Sequence, residues 1–263
     1  MTPKRTIGLP VCLIAGVGAF VAASAVTVQD AHAGDQEMVC TQHEYAMGIR
    51  YQQKSAEMDA LQRQAFHLAK LKLDQKIAAH DDDANLAIIT DVDETLIDNT
   101  PLLVRDMRAC RDYTAWDTWS HWEKKGDPEL IPGAMDFLEY ADEQGVAIYY
   151  VSNRFGKNKP HTIETLNEMG MPQVSKETVK LYGKPKTERR AEVREDHTVV
   201  LLLGDSLADF HGAYDDAPLD EQRESAEEHA GKFGDKWIVL PNSTYGDWDE
   251  AELETWDAPI KAD

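Results

Sequence analysis

Positive charge is scarce in this chain: 27 lysines and arginines stand against 48 aspartates and glutamates, for a formal net charge of -21 over 263 residues. A field of that sign repels nucleic acid and anionic membrane, so polyanion binding is excluded as the main role. Any anionic substrate must then be drawn in by a local positive centre, either a metal or a few basic side chains. Cysteine is scarcer still, at three residues. Cys12 follows Pro10-Val11 before the apolar run has properly begun, and Cys40 follows Met38-Val39 beyond it, so neither has the setting of a lipid-modified cysteine. Internal repeats and low-complexity linkers are absent. The length suits one large domain, or a core domain with a smaller accessory lobe, that buries its core without cross-links.

The first residues have the form of a secretory signal. Lys4 and Arg5 supply the positive start, residues 7–28 are almost wholly apolar or small, and Ala31-His32-Ala33 offers the small residues a signal peptidase needs. Cleavage before Gly34 is expected in preference to an uncleaved anchor, because Gly, Ala and Ser weaken the apolar run. The expected location is the periplasm or the medium, with no stable membrane anchor after cleavage. In such an oxidising compartment Cys40 and Cys110 either form a disulfide or remain two thiols.

Between Glu44 and Ala79 there is no proline and only Gly48, and apolar residues recur at helical spacing, which predicts one long helix or two shorter ones. His80-Asp81-Asp82-Asp83 reads as a solvated turn. Three continuous apolar runs follow, Leu86–Thr90, Val146–Val151 and Val199–Leu203, and Trp237–Leu240 makes a fourth. Runs without alternation are what strands buried on both faces of a parallel sheet require. Helical stretches lie between them: Pro132–Gln144, stopped by Gly145, then Pro160–Met169 and Lys186–Glu195. The pattern predicts an α/β fold with a doubly wound parallel sheet, Rossmann-like, whose site lies beyond the carboxyl ends of the strands. No strand pattern is visible between Asn99 and Ile131, so that insertion and the N-terminal helices are expected to form a smaller, mainly helical second lobe.

The chemistry-bearing residues fall where that topology would put a site. Asp91 and Asp93 follow the first strand; two apart on extended chain, they face one cavity and can divide the work of nucleophile and general acid/base. Ser152, Asn153 and Arg154 follow the second strand, with a hydroxyl and an amide able to hold a phosphoryl oxygen. Lys184 and Lys186 open a helix, where a lysine and the helix N-terminus favour a phosphate together. Asp205 and Asp209 follow the third strand and share a face if a helix begins there. Each segment alone is ordinary; an Asp-x-Asp arises easily in so acidic a chain, and the others are common turn chemistry.

In combination, the order of acid pair, hydroxyl, lysine and acid pair resembles the haloacid dehalogenase-like phosphatase superfamily. Further segments narrow the resemblance to the class C bacterial acid phosphatases, the lipoprotein acid phosphatase and 5′-nucleotidase family. They are Asp91-Val-Asp-Glu-Thr-Leu-Ile-Asp-Asn-Thr-Pro101, Trp119-Ser-His-Trp122, Ile131-Pro-Gly-Ala134, Gly231-Lys-Phe-Gly234 and Leu240-Pro-Asn-Ser-Thr-Tyr-Gly-Asp-Trp248. The resemblance covers about Thr41 to Trp248. It implies a haloacid dehalogenase-like fold and a magnesium-dependent acid phosphatase acting on small phosphomonoesters, with nucleoside 5′-monophosphates expected.

The same resemblance implies Asp91 as nucleophile, Asp93 as general acid/base, and Ser152 and Lys186 as holders of the phosphoryl group. Lys186 is preferred to Lys184 because the family lysine is followed three residues later by arginine, here Arg189. Mg2+ is expected on Asp91, Asp205 and the backbone carbonyl of Asp93, with Asp209 as a supporting acid. Four carboxylates beside a phosphate dianion need such a cation, since each pair of charges about 4 Å apart repels by about 4 kcal/mol at an effective dielectric near 20. Asn153, Arg154 and Tyr245 are the expected substrate contacts, Tyr245 matching a family aromatic that stacks on a nucleobase. Where relatives place its partner on the N-terminal helix this chain has Leu73, with Phe66 nearby. Trp116, Trp119 and Trp122, three residues apart, read as the buried face of a helix.

The expected organisation is a signal peptide at 1–33, an N-terminal helical segment at 34–84 belonging to the second lobe, a phosphatase core at 85–98 and 132–248, the lobe insertion at 99–131 and a tail at 249–263. The expected partners are a small-molecule phosphomonoester and no nucleic acid, and a homodimer is allowed. Two rival functions are a sugar- or aryl-phosphate phosphatase of the same mechanism and a non-catalytic exported binding protein on the same fold.

Overall fold

The computed structural model describes residues 40–81 and 84–256. The expected leader, Asp82 and Asp83 of the acid turn, and the last residues of the tail lie outside them. In chain order the main elements are α1 (Ala46–Lys54), α2 (Ala56–Ala78), β1 (Leu86–Thr90), β2 (Ile97–Asp98), α3 (Thr100–Arg108), α4 (Trp119–Lys125), β3 (Glu129–Leu130) and α5 (Ala134–Glu143). Then come β4 (Ala147–Phe155), α6 (Lys159–Glu168), β5 (Val179–Tyr182), α7 (Lys186–Asp196), β6 (Thr198–Gly204), α8 (Leu219–Glu228) and β7 (Trp237–Val239).

Five strands form one parallel sheet in the order β5-β4-β1-β6-β7. The central strand β1 is buried along its whole length, and its alternating side chains explain the unbroken apolar run. Leu86 and Ile88 join a core with α2 and α5, while Ala87 and Ile89 join another with Val193, Phe210 and Trp237. The chain builds outward from β1 through β4 to β5, then returns to the other side of β1 for β6 and β7. Strand order therefore reverses between β1 and β6, and a crevice opens beyond their carboxyl ends. The architecture is the doubly wound α/β fold that the sequence predicts.

The N-terminal segment is two helices, separated at Ser55, whose side chain accepts a hydrogen bond from Met58 N at 3.1 Å and caps α2. Although the sequence reading places this segment in the second lobe, α2 puts Phe66, Ala69 and Leu73 into the main core beside the sheet. A separate small core gathers Ile49, Leu102, Leu103, Tyr113 and Trp119, with Tyr245 packed against it. Cys40 and Cys110 are disulfide-bonded, with Cα atoms 5.6 Å apart, tying the start of α1's lobe to the end of α3. That resolves the alternative left open by the sequence in favour of the bridge.

The insertion is not free of strand: Glu129 and Leu130 pair antiparallel with Asp98 and Ile97, an element too short to show a period. The edge strand β5 also escaped the sequence reading. Its pairing with β4 is irregular between Val151 and Phe155, so Ser152, Asn153 and Arg154 sit in a locally distorted stretch inside the strand rather than in a turn after it. Distortion of this kind re-aims side chains. Among the described residues no helix is long and apolar enough to cross a membrane.

Candidate active site

Asp91 leaves β1 at the crevice, where its backbone N–H continues the ladder by donating to Leu203 O at 2.9 Å. Asp205 leaves the neighbouring strand β6 immediately after Gly204. The segment Leu207–Asp209 is a single 3-10 turn rather than the start of an α-helix, closed by a capping box between Ser206 and Asp209. It carries Asp209 back over Gly204, where a Cβ would lie only 2.4 Å from the Asp209 Cβ. A residue with a side chain at 204 would push the acid away. Asp91, Asp205 and Asp209 thereby bring one carboxylate oxygen each within 4.8 Å of one another.

Lys186 stands at the first turn of α7 and is buried with Asp91 and Asp209. Its Nζ lies 2.9 Å from Asp91 Oδ1 and donates to Asp209 Oδ1 in closer contact. The Asp91 contact is a buried ion pair, in which the Lys186 ammonium is the partner of Oδ1. Lys184, the other candidate, is exposed and paired with Glu192. Burial works against the Lys186 charge, but Asp209 and Asp91 outweigh it and raise the ammonium above its usual range. For Asp91 the balance is opposite: burial lifts its carboxyl well above the ordinary value, and Lys186 offsets only part of that while Asp209, Asp205 and Asp93 add to it. Asp205 is pushed up to about 6, first by burial and then by Asp209, although Asn242 and Thr95 donate to its oxygens at 2.8 Å and 3.1 Å.

Asp93 lies outside that group of three. Arg154 approaches it with Nε and a terminal nitrogen, at 3.0 Å and 2.9 Å from Oδ1, while Asn99 Nδ2 donates to Oδ1 at 2.9 Å and Ser152 Oγ donates to Oδ2 at 3.1 Å. Ser152 is fully buried, and its Oγ also accepts from Arg154 N at 3.0 Å. Arg154, expected as a substrate contact, is thus a buried partner of Asp93 rather than an open anion receptor. Asn153 is exposed, with its Oδ1 accepting from Arg189 at 2.7 Å.

Tyr245 stands on the second lobe's side of this array, its hydroxyl donating to the buried Glu94. Trp116 and Trp119 present themselves nearly perpendicular to its ring, with centroids 5.2 Å and 5.7 Å away. The expected tryptophan face is therefore different: α4 begins at Trp119, and Trp116 precedes it in the left-handed region at φ 58°, partly exposed. Leu73 and Phe66 lie in the core, away from Tyr245.

Four contributors escaped the sequence reading as site residues. Glu94, at φ 52°, is fully buried and accepts from Asn99 N at 3.0 Å. Asn99 joins Glu94 to Asp93, and Thr95 and Asn242 hold Asp205. All four sit inside segments that carry the family resemblance, but their roles need contacts that sequence order does not show.

The three converging carboxylates provide hard oxygen donors, with the Lys186 ammonium against two of them. That set suits a divalent cation bound by oxygen. Lys186 adds a buried ammonium to the same crevice, while Arg154 and the Ser152 hydroxyl are engaged with Asp93.

The sequence pattern of the HAD superfamily, subfamily IIIB (acid phosphatase), matches residues 14–248. Among solved structures, the class C acid phosphatase from Bacillus anthracis is 35% identical, with a TM-score of 0.76 over 81% of this chain and 89% of that one. The same Bacillus anthracis enzyme with tungstate bound matches at 34% identity and TM-score 0.76, over 83% of this chain and 94% of that one. The chain belongs to the HAD subfamily IIIB acid phosphatases and is a phosphomonoester hydrolase.

Proposed function

We propose that this acid phosphatase is magnesium-dependent, acts on nucleoside 5′-monophosphates, and works through a phosphoaspartate on Asp91. The observation that carries the reading is the meeting of Asp91, Asp205 and Asp209 at one point, with Lys186 against two of them. Asp91 and Asp205, with the backbone carbonyl of Asp93, are the proposed ligands, and Asp209 supports them. When bound, the cation neutralises the acids and the phosphoryl oxygens and keeps Asp91 ionised.

Asp91 attacks phosphorus in line with the departing oxygen. Burial raises its carboxyl well above the ordinary value, and Lys186, 2.9 Å from Oδ1, offsets part of that. Lys186 and the Ser152 hydroxyl donate to the phosphoryl oxygens, and Asp93 gives a proton to the leaving oxygen and then takes one from the water that releases Asp91. Arg154 and Asn99 fix where that carboxyl stands. Asn153, exposed within β4, is a proposed substrate contact. Tyr245, flanked by two tryptophans, offers a stacking face for the leaving group.

Export to the periplasm or medium is part of the same proposal, supported by the signal-like first residues and by the Cys40–Cys110 bridge. A second reading, a sugar- or aryl-phosphate phosphatase of the same mechanism, is favoured by one observation: Leu73 and Phe66 are packed in the core and unable to close on Tyr245 from the helix. Catalytic efficiencies for adenosine monophosphate, a sugar phosphate and nitrophenyl phosphate separate the two readings. A preference for the nucleotide that disappears in Tyr245→Ala supports the first; equal efficiencies in the parent chain support the second. Removal of the metal by a chelator, reversed by Mg2+, tests the cofactor.

A further inference from the structure

A cavity of about 330 Å3 opens away from the acid cluster, beside the edge strand β5. None of Asp91, Asp93, Asp205 and Asp209 lines it. Its walls carry Lys159, Lys176, Lys180, Lys184 and Arg189 against Glu177 and Glu192 alone. Five cations around two carboxylates is the reverse of the whole chain's balance of 27 to 48. Glu192 is already shared by Lys180 at 2.8 Å and Lys184 at 2.7 Å. Among the described residues no carboxylate stands within ion-pair distance of Lys159, Lys176 or Arg189; the Lys159 ammonium turns instead to Lys176 O at 2.7 Å.

Arg189 is the decisive member. It is 3% exposed, no carboxylate among the described residues lies within ion-pair distance of it, although Asp91 and Asp209 act on its charge from further off, and its buried Nε has no hydrogen-bond partner. Its terminal nitrogens donate to Ser152 O at 2.6 Å, Lys180 O at 3.1 Å and Asn153 Oδ1 at 2.7 Å. A buried guanidinium whose direct partners are all neutral oxygens keeps donor capacity and part of its charge for an anion. Lys159 shows the same excess: burial lowers its ammonium, and Lys180 and Lys176 press it further down, with Glu177 opposing them.

We propose that this cavity is a second oxyanion site, separate from the Asp91 cluster, which takes free inorganic phosphate or the phosphoryl end of a second phosphomonoester. Compact, multiply charged oxyanions match its size and charge. Because Arg189 holds the backbone and side chain of Ser152-Asn153, an anion here bears on the strand that carries Ser152. Lysines on an edge strand also serve to block edge-to-edge pairing, and in that case they bind nothing saturably.

The test uses the purified chain in chelator, where the uncompensated acids keep phosphate out of the catalytic crevice and nothing is turned over. Inorganic phosphate is titrated by calorimetry into the parent, Asp91→Asn, the double variant Lys159→Ala/Lys176→Ala, and Lys176→Glu, each checked for folding by circular dichroism. Saturable binding is expected in the parent and in Asp91→Asn. It should weaken by about tenfold or more in both lysine variants, since two facing charges are each of the order needed for such a change. Nitrophenyl phosphate in the same titrations identifies the source: binding of both anions assigns the site to any phosphoryl group, and binding of phosphate alone assigns it to the free ion. Binding that never saturates, survives both lysine variants or vanishes in Asp91→Asn overturns the proposal.

Discussion

Replacing Lys186 by methionine keeps much of the side chain's bulk and removes the one cation set between two buried carboxylates. At 2.9 Å from Asp91 Oδ1, the gross attraction is about 6 kcal/mol at an effective dielectric near 20, and the Asp209 contact is of the same kind. The net loss is smaller, because the native pair also bears a desolvation cost and the orphaned acids can take up protons. Breaking a buried pair from one side typically costs about 3–5 kcal/mol, and that is the loss expected at pH 7 without metal. Protonation relieves the penalty, so the gap between parent and variant should narrow as pH falls toward 4. Turnover should drop by at least about 10²–10³-fold, the usual effect of losing one preorganised donor. Urea unfolding across that pH range and steady-state hydrolysis of nitrophenyl phosphate read both effects. A variant as stable as the parent at pH 7, or one within about tenfold of its activity, would refute the role given to Lys186.

In metal-free protein the contribution of Asp205 to stability should be larger near pH 4 than near pH 7, read as the difference between the parent and Asp205→Asn. Asp205, at about 6 when folded against an ordinary value of 3.8, binds its proton more tightly in the native state, so its contribution is complete below the unfolded value and is lost as pH rises through about 6. Unfolding midpoints in chelator check this, and Mg2+ should remove the decline by compensating the ionised acids. Reducing the Cys40–Cys110 bridge, whose ends are 70 residues apart, should lower stability by about 4 kcal/mol on the chain-entropy account, measured by urea unfolding with and without reductant. Tyr245→Phe keeps the ring but frees it from Glu94, and should raise KM for adenosine monophosphate more than it lowers kcat. Tyr245→Ala should cost about 1–3 kcal/mol of nucleotide binding, the worth of a stacked base, with little change for a sugar phosphate.

Much of the fold was legible because β1, β4 and β6 lie in the middle of a parallel sheet, and burial on both faces demands continuous apolar runs. The position of the acids followed from that, since carboxyl ends of central strands at a reversal of strand order face one crevice. The edge strand β5 was not legible: Val179-Lys180-Leu181-Tyr182 has one solvated side and only four residues. The pairing of Ile97-Asp98 with Glu129-Leu130 is shorter still. Within the site, topology marked the segments holding Asp91, Asp205 and Lys186, while their roles, and the choice of Lys186 over Lys184 by the arginine that follows three residues later, came from the family resemblance. Arg154 was harder, because an arginine after a strand reads equally as an anion receptor and as a partner for a nearby acid. The irregular register of β4, set by pairing with β5, turns it onto Asp93. Asp205 and Asp209 converge through a 3-10 turn folded over Gly204, a close approach that helical spacing does not describe. Trp116 lies outside α4, where the left-handed φ breaks the three-residue period.

The central claim is that Asp91 itself takes up phosphorus, and trapping that adduct tests it most directly. Mature protein with Mg2+ is mixed with a labelled phosphomonoester, quenched in acid within a turnover and digested for peptide mass spectrometry. The account predicts a phosphoryl group on Asp91, absent in Asp91→Asn and in chelator. Turnover that proceeds with no adduct on Asp91, or with the phosphoryl group on another residue, would contradict it.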